Sequence, residues 1–180
     1  MGEWKVKQKK VIYKSKFFKV REQEITFPSG KKKTYDFAER VPTVIVFPIT
    51  SAYELYLISE YRTLHKKRVI EAVAGHIGKG ETPLIAAKRE LKEESGISAF
   101  KWNQLAQIES AGSIIKSTFT LFLARDLKIG SPDTEEDEDI VLFKIPLGEA
   151  VKKVIARQIN ISSAVIGILL IDKLRKEGKL

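Results

Sequence analysis

The stretch from Gly75 to Ile97 constrains this 180-residue chain more than any other. It opens with Gly75, Gly78 and Gly80, passes through Thr82-Pro83, and then keeps a helical period as far as Ser95 before Gly96. Proline suits the first helical position because its missing N–H is not needed there, and glycine ends helices by turning left-handed. A helix over about 82–95 is therefore pinned at both ends. At about 100° per residue, Glu90, Glu93 and Glu94 fall within an arc of about 100°. Leu84, Ala87 and Leu91 form the adjacent apolar stripe, while Lys88 and Lys92 lie on the far side. Three like charges this close repel one another, so a positive partner is expected against them. A hard divalent cation such as Mg²⁺ or Mn²⁺ is the economical choice, because such ions select carboxylate oxygens.

The rest of the chain reads as strands before and after this helix, with helices at the end. Residues 10–26 alternate apolar and charged positions, and Pro28-Ser29-Gly30 turns the chain into a second strand near Phe37. Thr43 to Ile49 and Glu54 to Tyr61 are denser in Val, Ile, Leu and Tyr and read as strands of a central sheet. Further strands are expected at about Asn103 to Ser110, Thr118 to Ala124 and Ile140 to Ile145, the last preceded by an acidic loop, Gly130 to Asp139. Helices are expected at about Leu147 to Ala156 and Ser162 to Lys176, with Asn160 as N-cap of the second. Ala164 to Leu174 is apolar almost all round, which suits core packing or a subunit interface. The result is a mixed α/β (α+β) chain whose sheet is covered by helices.

Composition excludes several classes. Hydrophobic residues make up 43%, enough for a core and too many for a disordered chain. There is no cysteine, hence no disulfide framework, thiolate metal site or cysteine nucleophile. The apolar run Ala164 to Ile171 is too short to cross a bilayer. The polar, basic start shows no secretory leader, and Val6 stands where a myristoylation signal needs Ser or Thr. A soluble, cytoplasmic protein is expected. Abundant Lys, Glu and Ile with no Cys and one Met fit a thermophilic source. The net charge of +9 is concentrated at the N-terminus, from Lys5 to Arg21 and Lys31 to Lys33. No aromatic stacking motif accompanies it, so solvated strand faces are the preferred reading and nucleic acid is not expected as a partner.

Two phosphate-loop patterns fail. A dinucleotide fingerprint needs its glycines at positions one, three and six, and a Walker loop needs Lys and Ser or Thr after its last glycine. Here the glycines fall differently, and Glu81-Thr82 follows Gly80. What the segment does match is Gly75, five residues, Glu81, seven residues, Arg89-Glu90-Leu91, one residue, Glu93-Glu94, one residue, Gly96-Ile97. At every defined position this resembles the box of the Nudix hydrolases. The resemblance implies an α/β/α sandwich with a mixed central sheet, preceded by a small N-terminal antiparallel sheet. It also implies Mg²⁺- or Mn²⁺-assisted hydrolysis of a nucleoside diphosphate linked to another group. Carried over by position, Glu90 and Glu94 would be the principal metal ligands, Glu93 a further one, and Ala74 would contribute its carbonyl. Arg89, Glu81 and Gly75 would orient them, Arg89 by pairing with Glu93 one turn on.

Outside the box the chain is similar to the ADP-ribose pyrophosphatase branch. Glu60-Tyr61-Arg62 and Glu71-Ala72-Val73-Ala74-Gly75 resemble strand ends at which Arg62 would meet the diphosphate and Glu71 a ribose or base. The acidic loop resembles the one that supplies that branch's catalytic glutamate, which makes Glu138 and Glu136 candidates beside Glu93. The first strands, about 1–40, resemble an element that helps form a homodimer, with the hydrolase domain over 41–180. One departure is Ser110-Ala111-Gly112, where the branch usually carries a proline at the middle position; another nucleotide sugar therefore stands as an alternative to ADP-ribose. Dinucleoside polyphosphates, nucleoside triphosphates and a binding-only module are the rival readings. His65 and His76 have no metal-ligand spacing and read as bystanders.

Overall fold

The computed structural model describes residues 3–109, 111–132 and 139–180. In chain order the elements are β1 (Lys5–Lys14), β2 (Phe18–Thr26), β3 (Lys32–Arg40), β4 (Thr43–Pro48), β5 (Glu54–Arg62), β6 (Lys67–Glu71) and β7 (Val73–His76), followed by helix α1 (Pro83–Ser95). Then come β8 (Ser98–Glu109), β9 (Ile115–Lys116), β10 (Thr118–Lys128), β11 (Ile140–Pro146), α2 (Leu147–Ile155) and α3 (Ser162–Lys176). The chain divides into two compact units, Met1–Pro42 with Glu109–Thr118, and Thr43–Ile108 with Phe119–Leu180.

The first unit is one sheet in the order β1-β2-β3-β9. β1, β2 and β3 pair antiparallel, and β9 runs parallel to β3. The turn between β2 and β3 falls at the expected place, with Gly30 at a φ of 82°. β1 is exposed along its whole length, so its lysines face solvent. Glu39 on β3 takes Lys19 and Arg21 of β2 at 2.9 and 3.2 Å. The Lys19 hydrogen bond leads in holding its carboxyl below the usual range.

The second unit is layered. Its central sheet runs β7-β4-β10-β8, with β4 and β10 parallel and β4 and β7 antiparallel. A second sheet, β11-β5-β6, is antiparallel throughout. Every residue of β4 is buried, as its unbroken apolar run requires of a strand covered on both faces. Val44 and Val46 join Val73, Phe122 and the α1 residues Ala86, Ala87 and Leu91 in one core cluster. Ile45 and Phe47 join Leu121, Leu123, Leu55 and Leu57 with Ala164, Ile168 and Ile171 of α3 in the other. Full burial of each large apolar side chain contributes roughly 1.5–3 kcal/mol. Gly167 lets α3 approach this sheet, since an added Cβ would overlap the Phe47 ring. These layers, a mixed sheet with helices against it, are the expected fold class.

Several local expectations need correction. Leu84 is 37% exposed and Ala86 replaces it in the buried stripe, because small residues let α1 sit close to Val44 and Val46. β8 begins at Ser98, several residues early, where Trp102 packs its ring edge-on to Phe122 at 6.2 Å. Asn160 does not cap α3: the chain is still extended at Ile161, which takes the cap position without a side-chain hydrogen bond. The apolar C-terminal stretch packs as core on the Ala164, Gly167, Ile168 and Ile171 side, while Ile166 and Leu169 remain exposed. Among the described residues no helix is long and apolar enough to cross a membrane.

Candidate active site

α1 is placed by its ends. Thr82 Oγ1 accepts the Ile85 N–H at 3.3 Å, Pro83 occupies the first turn, and Gly96 at a φ of 69° donates back to the Lys92 carbonyl. Beneath this helix lies β7, the edge strand of the central sheet. Arg89 is the hub of the face they share. Its Nε and Nη2 donate to the two oxygens of Glu81, each at 3.0 Å. Its Nη1 donates to Glu90 Oε1 at 2.8 Å and Glu93 Oε2 at 3.0 Å, and Nη2 also reaches the His76 carbonyl at 3.0 Å. Glu81 is fixed further by the Gly78 N–H at 2.8 Å. The Arg89 hydrogen bond is the main reason the Glu81 carboxyl lies below its ordinary range, and the same bond leads in pushing the Arg89 guanidinium further up.

Glu90 behaves oppositely. Burial pushes its carboxyl above the usual range, against the lowering effect of Arg89. Its space exists because residue 75 is glycine: a Cβ there would overlap the Glu90 carboxylate directly. Glu94 Oε2 accepts the Ala74 N–H at 3.3 Å. In a strand the N–H and C=O of one residue leave toward the same edge, so the Ala74 carbonyl also faces the outer edge of β7. Three carboxylates and one carbonyl, all hard oxygen donors, thus line the junction of α1 and β7, a donor set suited to Mg²⁺ or Mn²⁺. Among the described residues, no three acidic or imidazole side chains converge closely enough to form a ready-made cage. Arg89 explains this, because it draws Glu81, Glu90 and Glu93 around its own fork.

The second part of the site lies on the β5–β6 hairpin. Glu71 is 8% exposed and takes Arg62 Nε and Nη2 on its two oxygens at 2.9 and 3.1 Å. Arg62 Nη1 donates to Glu60 at 2.8 Å. The Glu71 hydrogen bond is the largest cause of the raised Arg62 pKa, and the charge of Glu94 contributes, so hairpin and helix act on one another. The structure therefore brings Glu90, Glu93, Glu94, Ala74, Gly75, Arg89 and Glu81 together, with Arg62 and Glu71 in electrostatic reach.

Glu136 and Glu138 lie outside the described residues. The flanks of their loop are anchored: Lys92 Nζ donates to the Ser131 carbonyl at 3.3 Å, and the Arg68 guanidinium binds the Asp139 carboxylate. Arg68 also holds the Asp139 and Ser59 carbonyls at 3.1 and 2.8 Å. His65 sits in the β5–β6 turn, and His76 serves Arg89 through its backbone carbonyl. Glu60, Arg68 and Lys92 carry contacts that sequence reasoning assigned to none of them. Only Glu60 offered a signal, its i, i+2 spacing from Arg62 on a strand.

Comparison with known proteins gives the family. A family model described as NUDIX domain matches residues 39–162. ADP-ribose pyrophosphatase of Mycobacterium tuberculosis is 26% identical over 163 residues, covering 89% of this chain and 79% of that protein. ADP-ribose pyrophosphatase of Bacillus subtilis is 26% identical over 159 residues, covering 87% and 86%. A crystal structure of an ADP compounds hydrolase superposes with a TM-score of 0.83 at 26% identity, covering 98% of this chain and 95% of that one. The chain belongs to the NUDIX family, as a hydrolase of the ADP-ribose pyrophosphatase-like kind.

Proposed function

We propose that this enzyme cleaves the pyrophosphate bond of a nucleoside diphosphate sugar, with ADP-ribose giving AMP and ribose 5-phosphate as the leading case. The observation that carries the reading is the Arg89 hub, which gathers Glu81, Glu90 and Glu93 beside the Ala74–Gly75 edge. Glu90, Glu94, Glu93 and the Ala74 carbonyl are the groups to hold Mg²⁺ or Mn²⁺. When bound, such a cation neutralises the diphosphate charge and makes a coordinated water more acidic.

The chain's own residues do the rest. Arg62 offers its remaining N–H groups to the diphosphate, a task its planar fork suits. Glu71 fixes that guanidinium with both of its oxygens and meets a ribose or base of the substrate. Glu138, Glu136 or Glu93 takes the proton of the attacking water as its oxygen bonds to phosphorus and the P–O–P bridge breaks. Arg89, Glu81 and Gly75 keep the glutamates in place. Residues 1–40 pair with a second copy of the chain to give a homodimer, and the enzyme works in the cytoplasm.

Product analysis with Mg²⁺ or Mn²⁺ tests this on a panel of ADP-ribose, other nucleoside diphosphate sugars, dinucleoside polyphosphates and nucleoside triphosphates. AMP and ribose 5-phosphate from ADP-ribose support the leading case. Faster turnover of another panel member moves the substrate, which Ala111 makes the main alternative. Binding without any metal-dependent turnover would overturn the enzyme.

A further inference from the structure

We propose that Glu60 is a positioning residue, holding Arg62 along the face of β5 so that its guanidinium lies back on Glu71 instead of running into solvent. The proposal rests on the reading of Arg62 as the diphosphate arginine.

Strand register sets where these side chains stand. Antiparallel pairing sets Ile58 opposite Glu71, Glu60 opposite Val69 and Arg62 opposite Lys67. Alternate residues share a face, so Ile58, Glu60 and Arg62 form one row beside Glu71, Val69 and Lys67. Glu71 stands level with Ile58, four residues or about 13 Å back along the strand from the Cα of Arg62. An arginine rooted at the strand end meets Glu71 only by lying back over the sheet. The residue midway along that path is Glu60, whose Oε1 accepts from Arg62 Nη1 at 2.8 Å.

The opposite choice is open to the side chain, because Arg62 is the last residue of β5 and its cross-strand neighbour Lys67 is an exposed cation. Lys67, directly opposite, disfavours a guanidinium there. Glu60 is well covered, its side chain 17% exposed, and it pairs with Arg62 at 2.8 Å. Of the five guanidinium N–H groups, Glu71 takes two and Glu60 one. One N–H remains on each Nη, a pair matched to two phosphate oxygens. Glu60 thus acts through Arg62: it fixes which edge of the fork is left for the substrate.

The test uses the full chain with the best panel substrate and Mg²⁺, comparing wild type, E60A, E60Q, R62A and E60A/R62A by steady-state kinetics and thermal unfolding. E60A is expected to raise KM about tenfold and change kcat far less, the loss of one charge-assisted hydrogen bond. E60Q keeps an acceptor for Nη1 and is expected to stay close to wild type, with unfolding midpoints alike. R62A raises KM at least as much, and E60A then adds nothing in the R62A background. If R62A raises KM while E60A leaves it unchanged or lowers it, Glu60 does not position the arginine. The same conclusion follows if the E60A effect persists in full without Arg62. An R62A variant with unchanged KM would instead overturn the assignment of Arg62, and an inert wild type would overturn the enzyme reading together with the proposal.

Discussion

Arg89 and Arg62 each gather carboxylates, but the helix and the hairpin do so by different means. On α1 the Glu93 partner follows from helical geometry alone, four residues and one turn from Arg89. On the β5–β6 hairpin, Glu71 meets Arg62 through strand register across a turn. A one-residue slip would send Glu71 to the other face, whereas no comparable slip exists within a helix. Chemistry written on one helix is readable from spacing, while chemistry shared between strands is readable only once the pairing is known.

The largest expected effects strike the helix side of this comparison. Gly75→Ala places a methyl where the Glu90 carboxylate sits, so turnover should fall about 10²-fold with little change in secondary structure by circular dichroism. Arg89→Ala leaves three carboxylates without their common cation, and kcat/KM should fall about 10- to 100-fold. If both variants retained wild-type rates, the Arg89 hub would have no part in turnover.

Gly167→Ala is the control outside either region. Its added methyl overlaps Phe47, so the chain should lose about 1–3 kcal/mol in denaturant unfolding while KM stays unchanged. A loss of activity without a loss of stability would tie α3 to the site.

The smallest effects concern pH and have opposite signs. Glu81 titrates below its ordinary 4.5 in the folded chain, so its stabilisation is present above that pH and is lost as pH falls through the folded value. Glu90 titrates above 4.5, so the folded chain holds its proton more tightly; its stabilisation belongs to the protonated form and fades as pH rises through the folded value. Unfolding curves of metal-free protein between pH 3 and 7 should therefore show a weaker acid loss in Glu81→Gln and a steeper one in Glu90→Gln. Equal slopes in both would mean that burial does not set Glu90 apart from Glu81 in this way.

The same distinction explains what was legible in the sequence. Thr82, Pro83 and Gly96 mark α1 because capping is local, and the apolar run of β4 announces a strand buried on both faces. Asn160 misled because its cap role depends on where the chain turns, one residue later at Ile161. Leu84 misled because a helical stripe has a direction only after the sheet beneath it is known, and that sheet selects Ala86. The box glutamates could be named from spacing and from the resemblance it carries. The tie of Arg68 to Asp139 spans 71 positions, and that of Lys92 to Ser131 spans 39, so neither leaves a local pattern. Glu60 stood two residues from Arg62 in plain view, yet its contact depends on Arg62 lying back along the strand.

If the carboxylate face of α1 is the hydrolytic centre, Glu94→Gln should disable it. Turnover of the best panel substrate and Mn²⁺ binding by isothermal titration should be measured on wild type and variant, with unfolding as the check on structure. Wild type should bind the ion and hydrolyse the substrate, and the folded variant should lose both by about 10²-fold or more. A folded Glu94→Gln protein that hydrolyses the substrate at the wild-type rate would place the chemistry elsewhere than on α1.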